Sequence, residues 1–545
     1  MARVGRTRRT GPDVSNRQRV VVVTGGGGGI GAAIAESLSR TGAFVVTVDP
    51  LVSIDGSERL PRTEETTAGR IVAAGGAARA SAISVTDEAR IRELFGELAD
   101  EFGGLDAVVN VAGISRPTGF ATGTDDDWRS VLSVHLAGYR NVLGAALPLM
   151  ADAGRGHLLG VTSGSGWRTA DAGAYGCAKR AVASLTWQLG RHAPAGVVVN
   201  AISPIAATRM VTAALGRTKR STGAATGGLS LGAMPAPEHL GPLGAHLVDG
   251  AFAACRGRVL FAGGSEVSVI DEPRLIEVVR SDDVPSQAQV AEAATTIALA
   301  KAEANQVSGG GSNARFGATF DVSPAGDLPP ATVRSCAIVT DRPELARSVS
   351  GALQARGVVC HSIDSRTALA DLGAVGAVVI AVAAGVAATG VTSHWARILA
   401  EHDGVAAQIH ADAQWARTVA EVAAKDDHPI RLVTVTVAVT SGGRSRAQAS
   451  AQLARSGRKA TGDLVLPFAL SDESDPDEFD GGPAELIAHL VCSPEADALA
   501  GAELVVGPGW FGLRSHPRPV GSISFGGPTV PSWFDETLRE IVQPR

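Results

Sequence analysis

Four consecutive valines lead directly into a run of glycines near the start of the chain, and this junction constrains the fold most. Val20–Val23 suit a buried strand, the next residues read Thr-Gly-Gly-Gly-Gly-Gly-Ile-Gly, and residues 32–40 suit a helix. In such a unit the glycines let the backbone approach a pyrophosphate, and the helix N-terminus offers free N–H groups to it. The sequence therefore predicts a dinucleotide-binding turn at Thr24, Gly25, Gly29, Ile30 and Gly31.

An acidic residue, Asp49, ends the strand-like segment that follows this helix. A carboxylate in that place accepts hydrogen bonds from both hydroxyls of a ribose and repels a 2′-phosphate. No Arg or Lys lies in the glycine turn or directly after Asp49. We therefore expect the cofactor to be NAD, with NADP the less favoured choice. The alternative reading of Asp49 is a cap for the following turn.

Strand-like and helix-like segments alternate twice along the 545 residues, which is typical of parallel sheets covered by helices on both faces. Sequence features of the first alternating segment recur in the same order in the second. Thr340 ends a strand-like run as Thr24 does, and Ala488-His-Leu-Val491 repeats Ala245-His-Leu-Val248. We expect two copies of one doubly wound α/β domain. The predicted divisions are a disordered basic tail (1–18), a catalytic domain (19–280), a helix with a Gly/Ser/Pro-rich linker (281–332) and a degenerate copy (333–545).

A tyrosine and a lysine four residues apart, Tyr175 and Lys179, would share one face of a helix. The chain holds only two tyrosines, so such a pair rarely arises by chance. A nearby ammonium favours the phenolate, and the tyrosine then acts as a base near neutral pH. Ser163 lies twelve residues upstream at a strand end, where its hydroxyl can bind a carbonyl oxygen; an isolated serine there would be an ordinary turn residue.

Together these residues resemble the short-chain dehydrogenase/reductase family over about residues 18–270. The resemblance implies a Rossmann-type fold in which Ser163 orients the carbonyl, Tyr175 exchanges the proton, and Lys179 lowers the tyrosine pKa and holds the nicotinamide ribose. His135 stands where the family carries an asparagine that tethers a relay water, and we expect it to take that role. The resemblance also implies cofactor contacts at Asn110, Ala112, Gly113, Pro204 and Thr208, besides Tyr175 and Lys179.

The second copy lacks these features. Asp341-Arg-Pro-Glu344 stands where the glycine turn should be, Ile380 matches Asn110, and no tyrosine follows Tyr175. We therefore predict a catalytically silent domain. Members of the family usually pair through the long helix that carries the catalytic tyrosine, so we expect the silent copy to dock there as an internal pseudo-partner. A homo-oligomer remains an open alternative.

Composition excludes several other classes of protein. The net charge of −6 gives no reason to expect a nucleic-acid partner. The five cysteines are widely spaced, so we predict no metal site and no disulfide framework, and a reducing cytoplasm as the location. The uncharged stretch 372–393 is rich in Ala and Gly, and we interpret it as a buried strand with its loop rather than a membrane span.

The predicted function is an NAD-dependent oxidoreductase that interconverts a secondary alcohol and a ketone by hydride transfer. The expected partner is thus a small-molecule substrate. The runs Val134–Gly138 and Asn200–Met210 resemble hydroxyacyl-CoA dehydrogenase units and some hydroxysteroid dehydrogenases, which suggests a 3-hydroxyacyl-CoA or a hydroxysteroid. The alternative is a catalytically weak or inactive NAD-binding regulatory or scaffold protein.

Overall fold

Two β-sheets, each flanked by helices, make up the protein. The computed structural model describes residues 17–61, 66–167, 171–212, 234–280, 298–308, 331–382, 388–474 and 482–543. We call residues 17–280 the first half and residues 298–543 the second half. The doubly wound parallel sheet and the second α/β unit predicted from the sequence are confirmed.

The first half begins with strand, glycine turn and helix, as its sequence predicts. Its strands are β1 (Val20–Thr24), β2 (Phe44–Val48), β3 (Ala77–Ser81), β4 (Ala107–Asn110), β5 (Gly156–Val161), β6 (Val197–Pro204), β7 (Val259–Gly263), β8 (Glu266–Ile270) and β9 (Leu275–Arg280). Its helices are α1 (Gly29–Arg40), α2 (Thr67–Ala73), α3 (Glu88–Phe102), α4 (Asp125–Leu132), α5 (Gly138–Ala153), α6 (Gly173–His192) and α7 (Gly241–Leu247). A π-helical turn, Ser133–Ala137, joins α4 to α5.

The second half repeats this alternation in a shorter form. Its strands are β10 (Ser335–Thr340), β11 (Val359–Ser362), β12 (Ala377–Ala381), β13 (Ile430–Val437), β14 (Val465–Asp472), β15 (Glu503–Gly507), β16 (Trp510–Arg514) and β17 (Pro519–Ser524). Its helices are α8 (Ala300–Ser308), α9 (Pro343–Gln354), α10 (Arg366–Asp371), α11 (His394–Glu401), α12 (Val405–Asp426), α13 (Ser441–Thr461), α14 (Gly482–Cys492) and α15 (Phe534–Val542). Within the described ranges, no helix is both long and apolar enough to cross a bilayer.

The two halves exchange their edge strands. The first sheet has the order β17-β8-β7-β6-β5-β4-β1-β2-β3, and the second has the order β11-β10-β12-β13-β14-β15-β16-β9. Strand β17 pairs antiparallel with β8, and β9 pairs antiparallel with β16. Helix α15 also packs on the first half, where Phe534 and Leu538 join the buried cluster around β1 and α1. No single point of the chain therefore separates the residues of the two sheets.

Helices α6 and α13 lie against each other where the halves meet, and α4 packs on α12 beside them. A continuous cluster of buried apolar side chains runs through this region, from Val22 of β1 through Ala181 of α6 and Leu453 of α13 to Val378 of β12. The interface also buries polar contacts. Ser445 donates to Ser184 at 2.9 Å, and Arg180 donates to Glu503 at 2.5 Å. The helix that carries Tyr175 is thus covered by the second half.

The described residues include parts of the predicted tail and of the predicted linker. Residues 1–16 lie outside the described residues, but Arg17 forms an ion pair with Asp106 and donates to the Phe102 carbonyl at 2.9 Å. Arg17, at the end of the predicted tail, is thus held by an acidic side chain and a backbone carbonyl. Of the linker 281–332, residues 281–297 and 309–330 lie outside the described residues.

Candidate active site

The glycine turn after β1 leaves its backbone accessible for a phosphate group. Gly25 has a φ of +65°, and a Cβ there would lie 2.8 Å from the Ala112 backbone nitrogen. A Cβ on Gly31 would overlap the Gly25 carbonyl oxygen, which brings the start of α1 close to β1. Only glycine fits both positions. The turn therefore fits a dinucleotide pyrophosphate at the N-terminus of α1.

Asp49 directs its carboxylate toward this turn from the end of β2. Its Oδ2 accepts from the Gly27 N–H at 3.0 Å, and its Oδ1 accepts from the Leu51 N–H at 2.9 Å. A cavity of about 260 Å³ lies beside it, between the ends of β2 and β3. Arg59 and Arg90 line this cavity together with Asp87, and neither arginine was predicted from the sequence to lie there.

The end of β4 lies next to the glycine turn. The Thr24 hydroxyl donates to Asn110 Oδ1 at 2.8 Å and ties β1 to β4, while the Ala112 N–H reaches Thr24 Oγ1 at 3.4 Å. A Cβ on Gly113 would collide with the imidazole of His135. The strand-end residues predicted from the sequence thus lie together at the carboxyl edge of the sheet.

Ser163, Tyr175 and Lys179 converge at the same edge. Ser163 follows β5; its Oγ accepts from the Ser165 N–H at 3.3 Å, and its hydroxyl lies near enough to the Tyr175 phenol to lower the pKa of that group. Lys179 Nζ lies 5.6 Å from the centre of the Tyr175 ring and donates to the Val161 carbonyl at 2.6 Å. One turn of α6 separates the phenol and the ammonium, as their spacing predicted. The arrangement joins a proton-exchanging group, a hydroxyl donor and a cation.

Burial shifts the pKa values of both Tyr175 and Lys179. Burial raises the pKa of Tyr175, and the hydrogen bond from Ser163 opposes that shift. Burial lowers the pKa of Lys179 to about 7. Burial is thus the largest influence on both pKa values in the protein alone, and the lowering of the tyrosine pKa by Lys179 stays a prediction.

His135 lies in the π-helical turn between α4 and α5, with its ring edge-on to Tyr175 at 5.1 Å between centroids. Its Nε2 lies 2.9 Å from the Ile114 carbonyl oxygen, and its Nδ1 has no hydrogen-bond partner among the described residues. Burial, and then the Lys179 charge, lower its pKa to about 3, so the ring is neutral. A neutral imidazole with a free nitrogen suits a water-tethering role, which remains a prediction.

The segment after β6 closes the site from the opposite side. Pro204 ends β6, and the Thr208 methyl lies 3.5 Å from the position a Cβ would take on Gly29. Arg209, which was not predicted from the sequence to lie in the site, places its guanidinium 3.2 Å from the position that a Cβ would take on Gly28. Its position directly after Thr208, a predicted cofactor contact, is the sequence feature that could have indicated it. Residues 213–233, which follow this segment, lie outside the described residues.

Comparison with known proteins agrees with this geometry. The sequence model of the family described as short chain dehydrogenase matches residues 19–219. The short-chain reductase protein NovJ of Streptomyces niveus is 34% identical over 201 residues, which cover 36% of this chain and 72% of NovJ. These findings make the protein an oxidoreductase with a Rossmann-type, NAD(P)-binding fold. The chain belongs to the short-chain dehydrogenase/reductase family.

Two further comparisons extend the match. The cis-4-hydroxycyclohexanecarboxylate dehydrogenase of Sinomonas cyclohexanicum is 34% identical over 255 residues, which cover 46% of this chain and 98% of that enzyme. A crystal structure of the N-domain of a bacterial malonyl-CoA reductase with NADP has a TM-score of 0.63 at 16% identity. It covers 90% of this chain and 97% of that one, so the fold of both halves together occurs in another protein.

Proposed function

We propose that the first half is an NAD-dependent oxidoreductase that interconverts a secondary alcohol and a ketone. The observation that carries the proposal is the convergence of Ser163, Tyr175 and Lys179 beside the glycine turn. Ser163 donates a hydrogen bond to the substrate oxygen, and Tyr175 exchanges the proton of that oxygen. Lys179, when protonated, supplies a cation close to the phenol, and His135 tethers a water that connects Lys179 with solvent.

The residues that would hold the cofactor fall into two groups. The turn of Thr24, Gly25, Gly29, Ile30 and Gly31 would take the pyrophosphate, with Arg209 as a counter-charge. Asp49 would take the ribose hydroxyls, and Asn110, Ala112, Gly113, Pro204 and Thr208 would line the remainder of the site. The bound nicotinamide supplies or accepts the hydride. Asp49 supports NAD over NADP, because its carboxylate already faces the turn.

We propose a cyclic secondary alcohol or a 3-hydroxyacyl-CoA as the substrate class, with a hydroxysteroid as a third member of the same chemistry. The relative named for cis-4-hydroxycyclohexanecarboxylate supports the cyclic alcohol, since that compound carries its hydroxyl on a ring carbon. The runs at Val134–Gly138 and Asn200–Met210 support the acyl-CoA.

We propose further that the second half is catalytically silent and acts as an internal pseudo-partner of the first. In place of a glycine turn it has Arg342, whose guanidinium pairs with the buried Asp472 at 3.1 Å. An internal ion pair there supports the loss of phosphate binding. The packing of α6 on α13 supports the pseudo-partner role, and the buried thiols are in keeping with the cytoplasmic location proposed from composition.

The test is turnover by the purified full chain with NAD⁺ and NADP⁺ against cyclic secondary alcohols, 3-hydroxyacyl-CoAs and hydroxysteroids, followed by absorbance of the reduced nicotinamide. We expect turnover with NAD⁺ that disappears in Tyr175→Phe. Cofactor binding without turnover across the panel would favour the regulatory or scaffold alternative. Absence of binding for both cofactors would contradict the role of the glycine turn.

A further inference from the structure

The turn that carries Ser163 is bonded to the second half. We call residues 163–167 the Ser163 turn. Gln452 of α13 donates from Nε2 to the Ser165 carbonyl at 3.1 Å, and Arg455 donates to the Trp167 carbonyl at 3.3 Å. Gln452 and Arg455 are buried, and they lie on one face of α13 at a spacing of three residues. Two carbonyls of the turn are thus satisfied from outside the first half.

The same helix also fixes the part of α6 that follows Lys179. Arg180, which is 1% exposed, donates to Glu503 at 2.5 Å, and Arg455 donates to the same carboxylate at 3.3 Å. Gln448 of α13 accepts from Arg180 Nε at 3.1 Å. A buried network therefore links α6, β15, α13 and the Ser163 turn.

The turn has little freedom to move apart from this network. A Cβ on Gly166 would lie 2.9 Å from the Arg180 backbone nitrogen, and one on Gly176 would lie 2.9 Å from the Ser165 carbonyl oxygen and 3.4 Å from Gln452 Cγ. The turn, α6 and Gln452 are thus in direct contact. A shift of Gln452 would be transmitted to Ser165, two residues from the catalytic hydroxyl.

We propose that Gln452 and Arg455 are positioning residues for the Ser–Tyr–Lys site, and that the silent half holds the Ser163 hydroxyl in register with the Tyr175 phenol. This proposal rests on the proposed function for its catalytic consequence. The positioning itself is a property of the fold and can be measured without a substrate. It gives the second half a function in the active site that needs no ligand of its own.

The first test is hydrogen–deuterium exchange on the full chain. The Gly166 and Trp167 amides donate to Ser163 and Gly164 within the turn, so they report its opening. Gln452→Met keeps the length of the side chain and removes the donor. We expect exchange of these two amides to rise roughly fivefold to tenfold, as for the loss of one buried hydrogen bond. Arg455→Lys keeps a cationic donor and should leave exchange closer to wild type than Arg455→Met.

The matched control is Ser445→Ala on the same helix. Ser445 is buried; it bonds Ser184 and Gln188 across the interface and His402 within the second half, and none of these bonds reaches the Ser163 turn. We expect it to leave exchange at residues 163–167 unchanged. Wild-type exchange in Gln452→Met, or an equal rise in Ser445→Ala, would overturn the proposal.

The second test uses a substrate turned over by the wild type. Gln452→Met should lower kcat about tenfold or more, because small displacements of reacting groups have large effects on rate, while the Kd for NAD⁺ stays within twofold. An unchanged kcat would overturn the catalytic part of the proposal. A wild type without turnover would count against the proposed function alone, since the exchange test needs no substrate.

Discussion

The unit of β1, its turn and α1 and the unit of β10, its turn and α9 have the same strand–turn–helix order but different turns. Both β1 and β10 end in a threonine. Thr24 donates to Asn110 and opens a glycine turn, whereas Thr340 donates to the Ala381 carbonyl at 2.7 Å and is followed by Asp341, Arg342 and Pro343. The register pairs Thr340 with Ala381, so Ala381 rather than Ile380 takes the strand position of Asn110.

Formation of the parallel sheet therefore does not depend on the phosphate-binding turn. Parallel pairing needs buried apolar strands, and both halves provide them. The phosphate site needs a few glycines with an open helix N-terminus, whereas the turn after β10 contains Arg342, which pairs with Asp472 at the end of β14. If function is confined to the first unit while stability is shared between both, substitutions in the two units should differ in their effects on catalysis and cofactor binding.

The largest effect is expected from the catalytic tyrosine. Tyr175→Phe should lower kcat about 10³- to 10⁴-fold with little change in NAD⁺ affinity, because it removes the proton-exchanging group and leaves the turn intact. The other tyrosine is the control: Tyr139 bonds Thr186 at 3.0 Å, and burial raises its pKa to about 12. Tyr139→Phe should retain turnover. Comparable losses in the two variants, measured by steady-state kinetics, would refute this assignment.

The exchanged C-terminal segment should matter to the first half. Phe534 is fully buried among residues of the first half, whereas its neighbour Trp533 is 45% exposed. Phe534→Ala should lower the free energy of unfolding by about 3 kcal/mol or more, through lost burial and the cavity that remains. Guanidinium denaturation followed by circular dichroism measures this. Trp533→Ala should cost much less, and equal costs would argue against the packing of α15 described above.

Cofactor affinity should depend on the first turn alone. Gly31→Ala places a methyl group against the Gly25 carbonyl and should raise the Kd for NAD⁺ about 100-fold, or about 2.7 kcal/mol. Gly351 of α9 lies on the helix after the second turn, and an added Cβ there meets nothing within 4 Å. Gly351→Ala should bind NAD⁺ as the wild type does. Titration calorimetry measures the Kd for NAD⁺ of both variants. A wild-type Kd for Gly31→Ala would be incompatible with the proposed site.

A smaller effect is expected on the choice of cofactor. Asp49→Ser removes the carboxylate that would repel a 2′-phosphate, and it should shift the ratio of NADP⁺ to NAD⁺ affinity about tenfold toward NADP⁺. Asp364, which follows β11 as Asp49 follows β2, is the control, and Asp364→Ser should leave the ratio unchanged. An unchanged ratio in Asp49→Ser would remove the basis for predicting NAD.

Local features of this protein were predictable from its sequence, and non-local ones were not. The strand, glycine turn and helix at Val20–Arg40 follow from neighbouring residues, and the Tyr175–Lys179 spacing places both side chains on one helix face. The exchange of β9 and β17 depends on which edge strand lies next to which, and hydrophobic patterning does not encode that. Gln452 reaches Ser165 across 287 positions, and nothing near either residue signals the contact.

The most direct test of the account is the number of NAD⁺ molecules bound per chain. Titration calorimetry of the full chain, with protein concentration fixed by amino-acid analysis, measures it. The account predicts one NAD⁺ per chain in the wild type and loss of that site in Gly31→Ala. Two NAD⁺ per chain, or one that survives in Gly31→Ala, would show that the second half binds the cofactor and would contradict the division of roles between the halves.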